Sequence, residues 1–184
     1  MRNLVLEDDP ILRKRCQSFD FDNPQEDPKK LTEELEVAMY KHDGLGLSAC
    51  QIGVNLKVFT MHIPPYDDRP IVCFNPRITD YSVETTYMRE GCLSFPGLWF
   101  SVQRAYGVNV TFADEDGVDK QATFVQLAAK IFQHEYDHML GKLYLEYASA
   151  YKIRNARRKQ NLWVRKRKNN GTLSQKERYG HENI

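Results

Sequence analysis

Val125-Gln126-Leu127-Ala128-Ala129-Lys130-Ile131-Phe132-Gln133-His134-Glu135-Tyr136-Asp137-His138 has the spacing of an amphipathic helix. At about 100° per residue, Leu127, Ile131, His134 and His138 fall within about 60° of one another. The two imidazoles thus continue an apolar stripe. Four residues apart on a helix, their Cβ atoms lie about 5–6 Å apart, close enough to share one small cation. Glu135 projects about 100° away around the axis and can stand beside a metal without ligating it. Two ligands with an adjacent carboxylate to move a proton is the logic of H-E-x-x-H. The bland alternative is a pair of packed or surface histidines. Asp137 points off the stripe and reads as a supporting residue.

A catalytic metal takes three protein ligands and leaves a position open. Downstream of the histidines stand Glu146 and, in a basic tail, His181; neither is a convincing third ligand. Upstream, Cys92 sits in the glycine-flanked bend Glu90-Gly91-Cys92-Leu93-Ser94. A thiolate there could reach a helix face, although a buried free cysteine reads the same way.

Working outward, Pro28 to Lys41 predicts a helix with Leu31, Leu35, Ala38 and Met39 on one face and Gly44 past its end. The stretch 44–53 is glycine-rich. Strands are expected over Leu56–Ile63, over Ile71–Pro76 (stopped by its proline) and over Thr79–Arg89, with a loop at Pro64–Pro70. Gly107–Ala113 and Lys120–Phe124 form a hairpin about Asp114-Glu115-Asp116-Gly117. The order predicts an α+β fold: partly open antiparallel sheets packed around one central helix, the helix carrying His-Glu-x-Asp-His. A terminal helix is expected within Tyr147–Lys168, and disorder from Asn169 on. The division is residues 1–150 as the catalytic body and 151–184 as a basic, partly helical or disordered extension.

The composition, 41% hydrophobic and 28% charged over 184 residues, is that of a globular protein. No apolar run approaches the roughly 20 residues of a membrane span, and the acidic turn of the N-terminus is unlike a secretory signal. Cys16, Cys50, Cys73 and Cys92 are scattered, as in reduced cytosolic proteins, so a cytoplasmic location is expected. The net charge of +1 hides an asymmetry: eleven Lys/Arg against two Glu from Lys152 on, and 15 Lys/Arg against 23 Asp/Glu before it. Such a tail suits a polyanionic partner.

Three segments occur in order: Gly44-Leu45-Gly46-Leu47-Ser48-Ala49-Cys50-Gln51, Glu90-Gly91-Cys92-Leu93-Ser94 and His134-Glu135-Tyr136-Asp137-His138. Together they resemble the signatures G-Φ-G-Φ-A-A-x-Q, E-G-C-Φ-S and H-E-x-D-H of the peptide deformylase family. The likeness spans roughly residues 1 to 150. Ser48 departs from the usual alanine, and Trp99 stands where bacterial relatives often have arginine.

The resemblance implies hydrolysis of the N-formyl group from formyl-methionine on newly made polypeptides, with release of formate. It implies Cys92, His134 and His138 as ligands of one divalent metal, Fe²⁺ natively, with Zn²⁺, Ni²⁺ or Co²⁺ as substitutes. Glu135 becomes the general base and acid towards water at the metal. The Gln51 amide and the Leu93 N–H become donors to the oxyanion. Gly44, Leu45 and Gly46 would pair with the substrate as an added strand, and Glu90 and Gly91 would flank it. Leu45, Leu127 and Ile131 would receive the methionine side chain. Asp43 and Arg104 are expected to pair. The partners implied are N-formylmethionyl nascent peptides and, through basic residues 152–168, ribosomal RNA; no membrane is expected, and the chain should be a monomer. Its compartment would be the cytoplasm, or the host cytosol if virus-encoded. Two rival readings leave residues without work. A metalloendopeptidase has no use for Cys92 or Gln51, and a structural-metal binding module has none for Glu135.

Overall fold

The computed structural model describes residues 2–63 and 69–170, the last five of these by their backbone alone. Two antiparallel sheets flank a helix, α2 (Gln126–Met139), which touches strands of both. That is the expected α+β arrangement. The larger sheet runs β1-β2-β3-β6-β7, with β1 (Gly46–Ser48), β2 (Val58–Met61), β3 (Ile71–Tyr81), β6 (Gly107–Ala113) and β7 (Asp119–Val125). The smaller pairs β4 (Thr85–Glu90) with β5 (Phe100–Ala105). Among the described residues β1 is therefore an edge strand, ladder-bonded only to β2.

Helix α1 (Pro28–Lys41) forms as its sequence dictates. Asp27 caps it by accepting from Lys30 N at 2.9 Å, Pro28 fills the first turn, and Leu31, Leu35, Ala38 and Met39 are buried. The β6–β7 hairpin turns where expected, with Asp114 Oδ1 accepting from Asp116 N and Val118 N. β7 runs straight into α2 without a side-chain cap. Gln126 makes this corner in a left-handed conformation (φ 53°), its N–H and side-chain amide both donating to Tyr106.

The strand boundaries differ from the sequence expectation in three places. Pro76 does not stop β3. The strand bulges at Asn75 (φ 49°), whose side chain bonds both backbone groups of Phe19, so the proline falls where the ladder is already interrupted. Thr79–Arg89 is not one strand but the end of β3 and the start of β4. The chain turns at Ser82–Glu84, where Ser82 Oγ donates to Glu84 O, and leaves one sheet for the other. Finally, Phe100–Ala105 and Gly46–Ser48 are strands that no local pattern announced.

After a 3₁₀ turn at Tyr144–Tyr147, α3 (Ala150–Asn170) carries the basic segment. Asn169 and Asn170 are helical, not disordered; the expectation for 171–184, and that for the loop at 64–68, lie outside the described residues. Among the described side chains of α3, Ile153, Ala156, Arg157, Gln160 and Trp163 are covered and spaced as one helix face, while Lys152, Arg154, Arg158 and Lys159 are exposed.

Candidate metal centre

Helical geometry places His134 and His138 on one side of α2, their rings 5.2 Å apart. The bend after β4 brings Cys92 against them, with Sγ 3.4 Å from His138 Nε2. One ligand atom from each of Cys92, His134 and His138 lies within 4.8 Å of the others, and all three residues are buried. Metal–sulfur bonds of about 2.3 Å and metal–nitrogen bonds of about 2.0–2.1 Å fit a cation among donors so spaced. One thiol and two imidazoles suit Fe²⁺, Zn²⁺, Ni²⁺ or Co²⁺.

The surrounding charges favour a cation there. His134 Nδ1 meets Glu90 Oε2 at 3.0 Å, which leaves Nε2 for a ligand and sets the ring's orientation. Burial opposes charge on His134, but Cys92 and Glu90 outweigh it and push its pKa up to about 10. A field that holds a proton on that lone pair also attracts a metal ion to it. Burial, with the charges of His134 and Arg104, drives His138 well below its ordinary pKa, so the ring stays neutral.

Glu90 is itself held. Arg104 donates to it twice, at 2.8 and 3.0 Å, and to Asp137 Oδ2 at 2.5 Å. Burial alone would raise Glu90; its bonds to His134 and Arg104 overcome this and bring it to about 2. Tyr147 closes the group, its hydroxyl donating to Asp137 Oδ1 and its ring 4.4 Å from the guanidinium. Arg104 thus serves Glu90 and Asp137 rather than the expected Asp43. Glu90, expected beside substrate, directs both carboxylate oxygens to protein partners. Asp137 is a supporting residue, as its place on the helical wheel suggested.

Glu135 is buried, and burial raises its pKa. Ser48 Oγ donates to its Oε2 at 2.6 Å, so the residue that departs from the family signature touches Glu135 directly. A Cβ on Gly46 would stand 2.6 Å from Glu135 Oε1 and 3.0 Å from Ile131 Cγ2. Only glycine permits strand β1 to lie so close to that carboxylate. Gln51 accepts from Ser48 N through Oε1 and points Nε2 at Cys92 Sγ (3.3 Å) and Ser94 Oγ (3.2 Å).

These groups open on a cavity of about 480 Å³, lined by Gly44, Leu45, Gly46, Gln51, Glu90, Gly91, Cys92, Leu93, Ile131, His134 and Glu135 among others. Of the sequence-predicted residues, Leu127 and His138 are not in its wall. Leu127 packs, partly buried, on the core behind it. Sequence reasoning missed Trp163 of α3, Leu6 near the N-terminus and Lys130 as lining residues. It also missed the reason for Gly91: Trp99 lies flat on it, and a Cβ there would be 2.6 Å from the indole.

Comparison with known proteins agrees with this geometry. The sequence model of the polypeptide deformylase family matches residues 1–154. A peptide deformylase of Pseudothermotoga lettingae is 37% identical over 146 residues, which is 79% of this chain and 82% of that protein. Peptide deformylase 1B, chloroplastic/mitochondrial, of Arabidopsis thaliana is 42% identical over 141 residues, 75% of this chain and 50% of that protein. The crystal structure of a peptide deformylase from Legionella pneumophila superposes with a TM-score of 0.82 at 34% identity, covering 91% of this chain and 98% of that one. A Synechococcus elongatus peptide deformylase in complex with actinonin gives 0.81 at 28% identity, covering 87% and 88%.

Proposed function

The chain belongs to the polypeptide deformylase family and removes the N-formyl group from nascent peptides, and we propose that the residues around Cys92 divide that hydrolysis as follows. Cys92, His134 and His138 would hold a divalent ion, which when bound would supply Lewis acidity and ease the deprotonation of a neighbouring water. Glu135 takes the proton from that water and later gives it to the amine that leaves with the methionyl peptide. Its raised pKa suits it to both transfers. The carbonyl oxygen of the formyl group gains charge as water adds. Gln51 Nε2 and the backbone N–H of Leu93 donate to it, and one such donor is worth about 10²–10³ in rate. The C–N bond then breaks, leaving formate and a free amino terminus.

The substrate backbone adds to the free edge of β1 at Gly44–Gly46, and methionine lies against Leu45 and Ile131. Gly91 and Glu90 keep the Cys92 bend in place beside it. The observation that carries this reading is the convergence of a thiol and two imidazoles at one point beside a cavity that a buried carboxylate and an amide N–H also line. Formate release from formyl-Met-Ala-Ser tests it. Glu135→Gln should retain metal and lose about 10²–10⁴-fold in kcat. Full activity in that variant would refute the assignment.

Fe²⁺ is the native ion in this reading. Anaerobic purification should yield iron, and zinc as the most active form would refute that. The exposed Lys152, Arg154, Arg158 and Lys159 make α3 a candidate contact for ribosomal RNA, driven by counterion release. Ribosome pelleting that ignores salt would reject it. Among the described residues no helix is long and apolar enough to cross a membrane. A cytoplasmic monomer fits this picture; light scattering that reads a dimer would overturn the second point.

A further inference from the structure

Helix α3 is more than a basic appendage. Its covered face is fastened to the body at several points. Ala156 is 5% exposed, Gln160 Nε2 donates to Pro96 O at 2.8 Å, and Arg157 pairs with Glu7. Two turns on from Ala156, Trp163 lies across Gly97. A Cβ at that glycine would stand 2.6 Å from the indole, and its φ of 74° is one that side-chain-bearing residues rarely adopt. This fastening puts Trp163 in the wall of the cavity that holds Cys92, His134 and Glu135.

Leu4, Leu6, Pro96 and Trp99 line the same cavity with Trp163, as do the polar Asn3, Lys41, His42 and Asp43. Arg2 is also there, but its guanidinium is held by Glu26 and Glu34 at 2.8 and 2.6 Å. At Gly97, beside Pro96, the wall offers the indole face of Trp163, and the charge of Arg2 is already paired. The methionine side chain already has Leu45 and Ile131. What remains to meet Trp163 is the chain that follows methionine.

We propose that Trp163, held across Gly97 by the docked α3, is a specificity-determining residue that favours apolar side chains at the second or third residue of the formyl-peptide. This rests on the deformylase reading of the same cavity. Formyl-Met-Leu-Phe should be preferred over formyl-Met-Gly-Gly in kcat/KM. Trp163→Ala should lower that preference by about five- to tenfold, at the lower end of what an apolar pocket discriminates. The change should fall in KM, because the contact is remote from the reacting bond. Trp163→Phe, which keeps an apolar ring, should retain most of the preference.

A second measurement does not depend on turnover. The chain has two tryptophans, Trp99 and Trp163, so Trp99→Phe leaves Trp163 as the sole indole. In the metal-loaded Trp99→Phe, Glu135→Gln enzyme, saturation with formyl-Met-Leu-Phe should shift the emission to the blue and shield it from acrylamide; formyl-Met-Gly-Gly should do so less. A preference equal in wild type and Trp163→Ala, or an indole blind to both peptides, overturns the proposal. Wild-type turnover of formyl-Met-Gly-Gly reads the activity itself, so failure of selectivity with turnover intact leaves the deformylase reading standing. A wild type that turns over neither peptide overturns both.

Discussion

Replacing Arg104 with methionine is the most informative perturbation of the support beneath the candidate metal ligands. Arg104 is 5% exposed and donates three hydrogen bonds to two carboxylates, Glu90 and Asp137, which are 2% and 7% exposed. Methionine fills much of the same volume without charge. Two buried carboxylates would then lose their shared cation, and removing one partner of a buried pair costs about 3–5 kcal/mol. In a chain of this size each kcal/mol moves Tm by about 2–4 °C, so a fall of about 6–20 °C is expected by calorimetry at neutral pH. The cause is separable from lost packing. In Arg104→Met combined with Glu90→Gln and Asp137→Asn the stranded charges are gone, and most of the lost Tm should return. A single variant within 2 °C of wild type, or a triple variant no more stable than the single, would refute the reasoning. Activity should follow a different course from stability, because the triple variant also weakens the acceptor that orients His134.

Three further outcomes follow from the geometry. Gly46→Ala puts a methyl 2.6 Å from Glu135 Oε1, so kcat for formyl-Met-Ala-Ser should fall at least about 10²-fold while metal content, read by elemental analysis, stays at one ion per chain. Ser48→Ala removes the 2.6 Å bond to Glu135 and leaves the residue usual at that place in the family signature; kcat should fall by about three- to tenfold with KM unchanged, and a larger change in KM than in kcat would contradict its role as a positioning residue. Chelation of the metal should abolish formate release and lower Tm, since an ion present at about 1,000 times its Kd contributes about 4 kcal/mol to the folded state. A chelated enzyme that keeps its Tm would mean the site binds far more weakly.

Much of the candidate site was legible in the chain because its grammar is local. The helical period places His134 and His138 together and turns Glu135 aside, and no tertiary contact is needed to derive that. The turn residues around Cys92 and the glycines at 44 and 46 are likewise local signals of bends and close approach. The family resemblance joined them into one centre, and the structure brings the three candidate ligands to one point. Strand boundaries were less legible. A proline reads as a stop, yet Asn75 reaches Phe19, 56 residues away, and makes a bulge that accommodates it. Phe100–Ala105 becomes a strand because β4 lies beside it, and the sheet ladder is a property of the pair.

The amino-acid sequence by itself determined the chemistry of this protein: which side chains can ligate, which can move a proton, and at what helical spacing. Only the tertiary structure decided how those groups are held and what surrounds them. Ser48 meets Glu135 across 87 positions, Glu90 meets His134 across 44, and Arg157 reaches Glu7 across 150. The physical reason is the range of the interactions. Backbone periodicity acts over one or two turns and is written in neighbouring residues, whereas burial, charge pairing and cavity shape arise only when distant segments meet. Trp163 shows the difference: in sequence an aromatic residue amid basic ones, in the fold part of the wall of the cavity beside the candidate metal site.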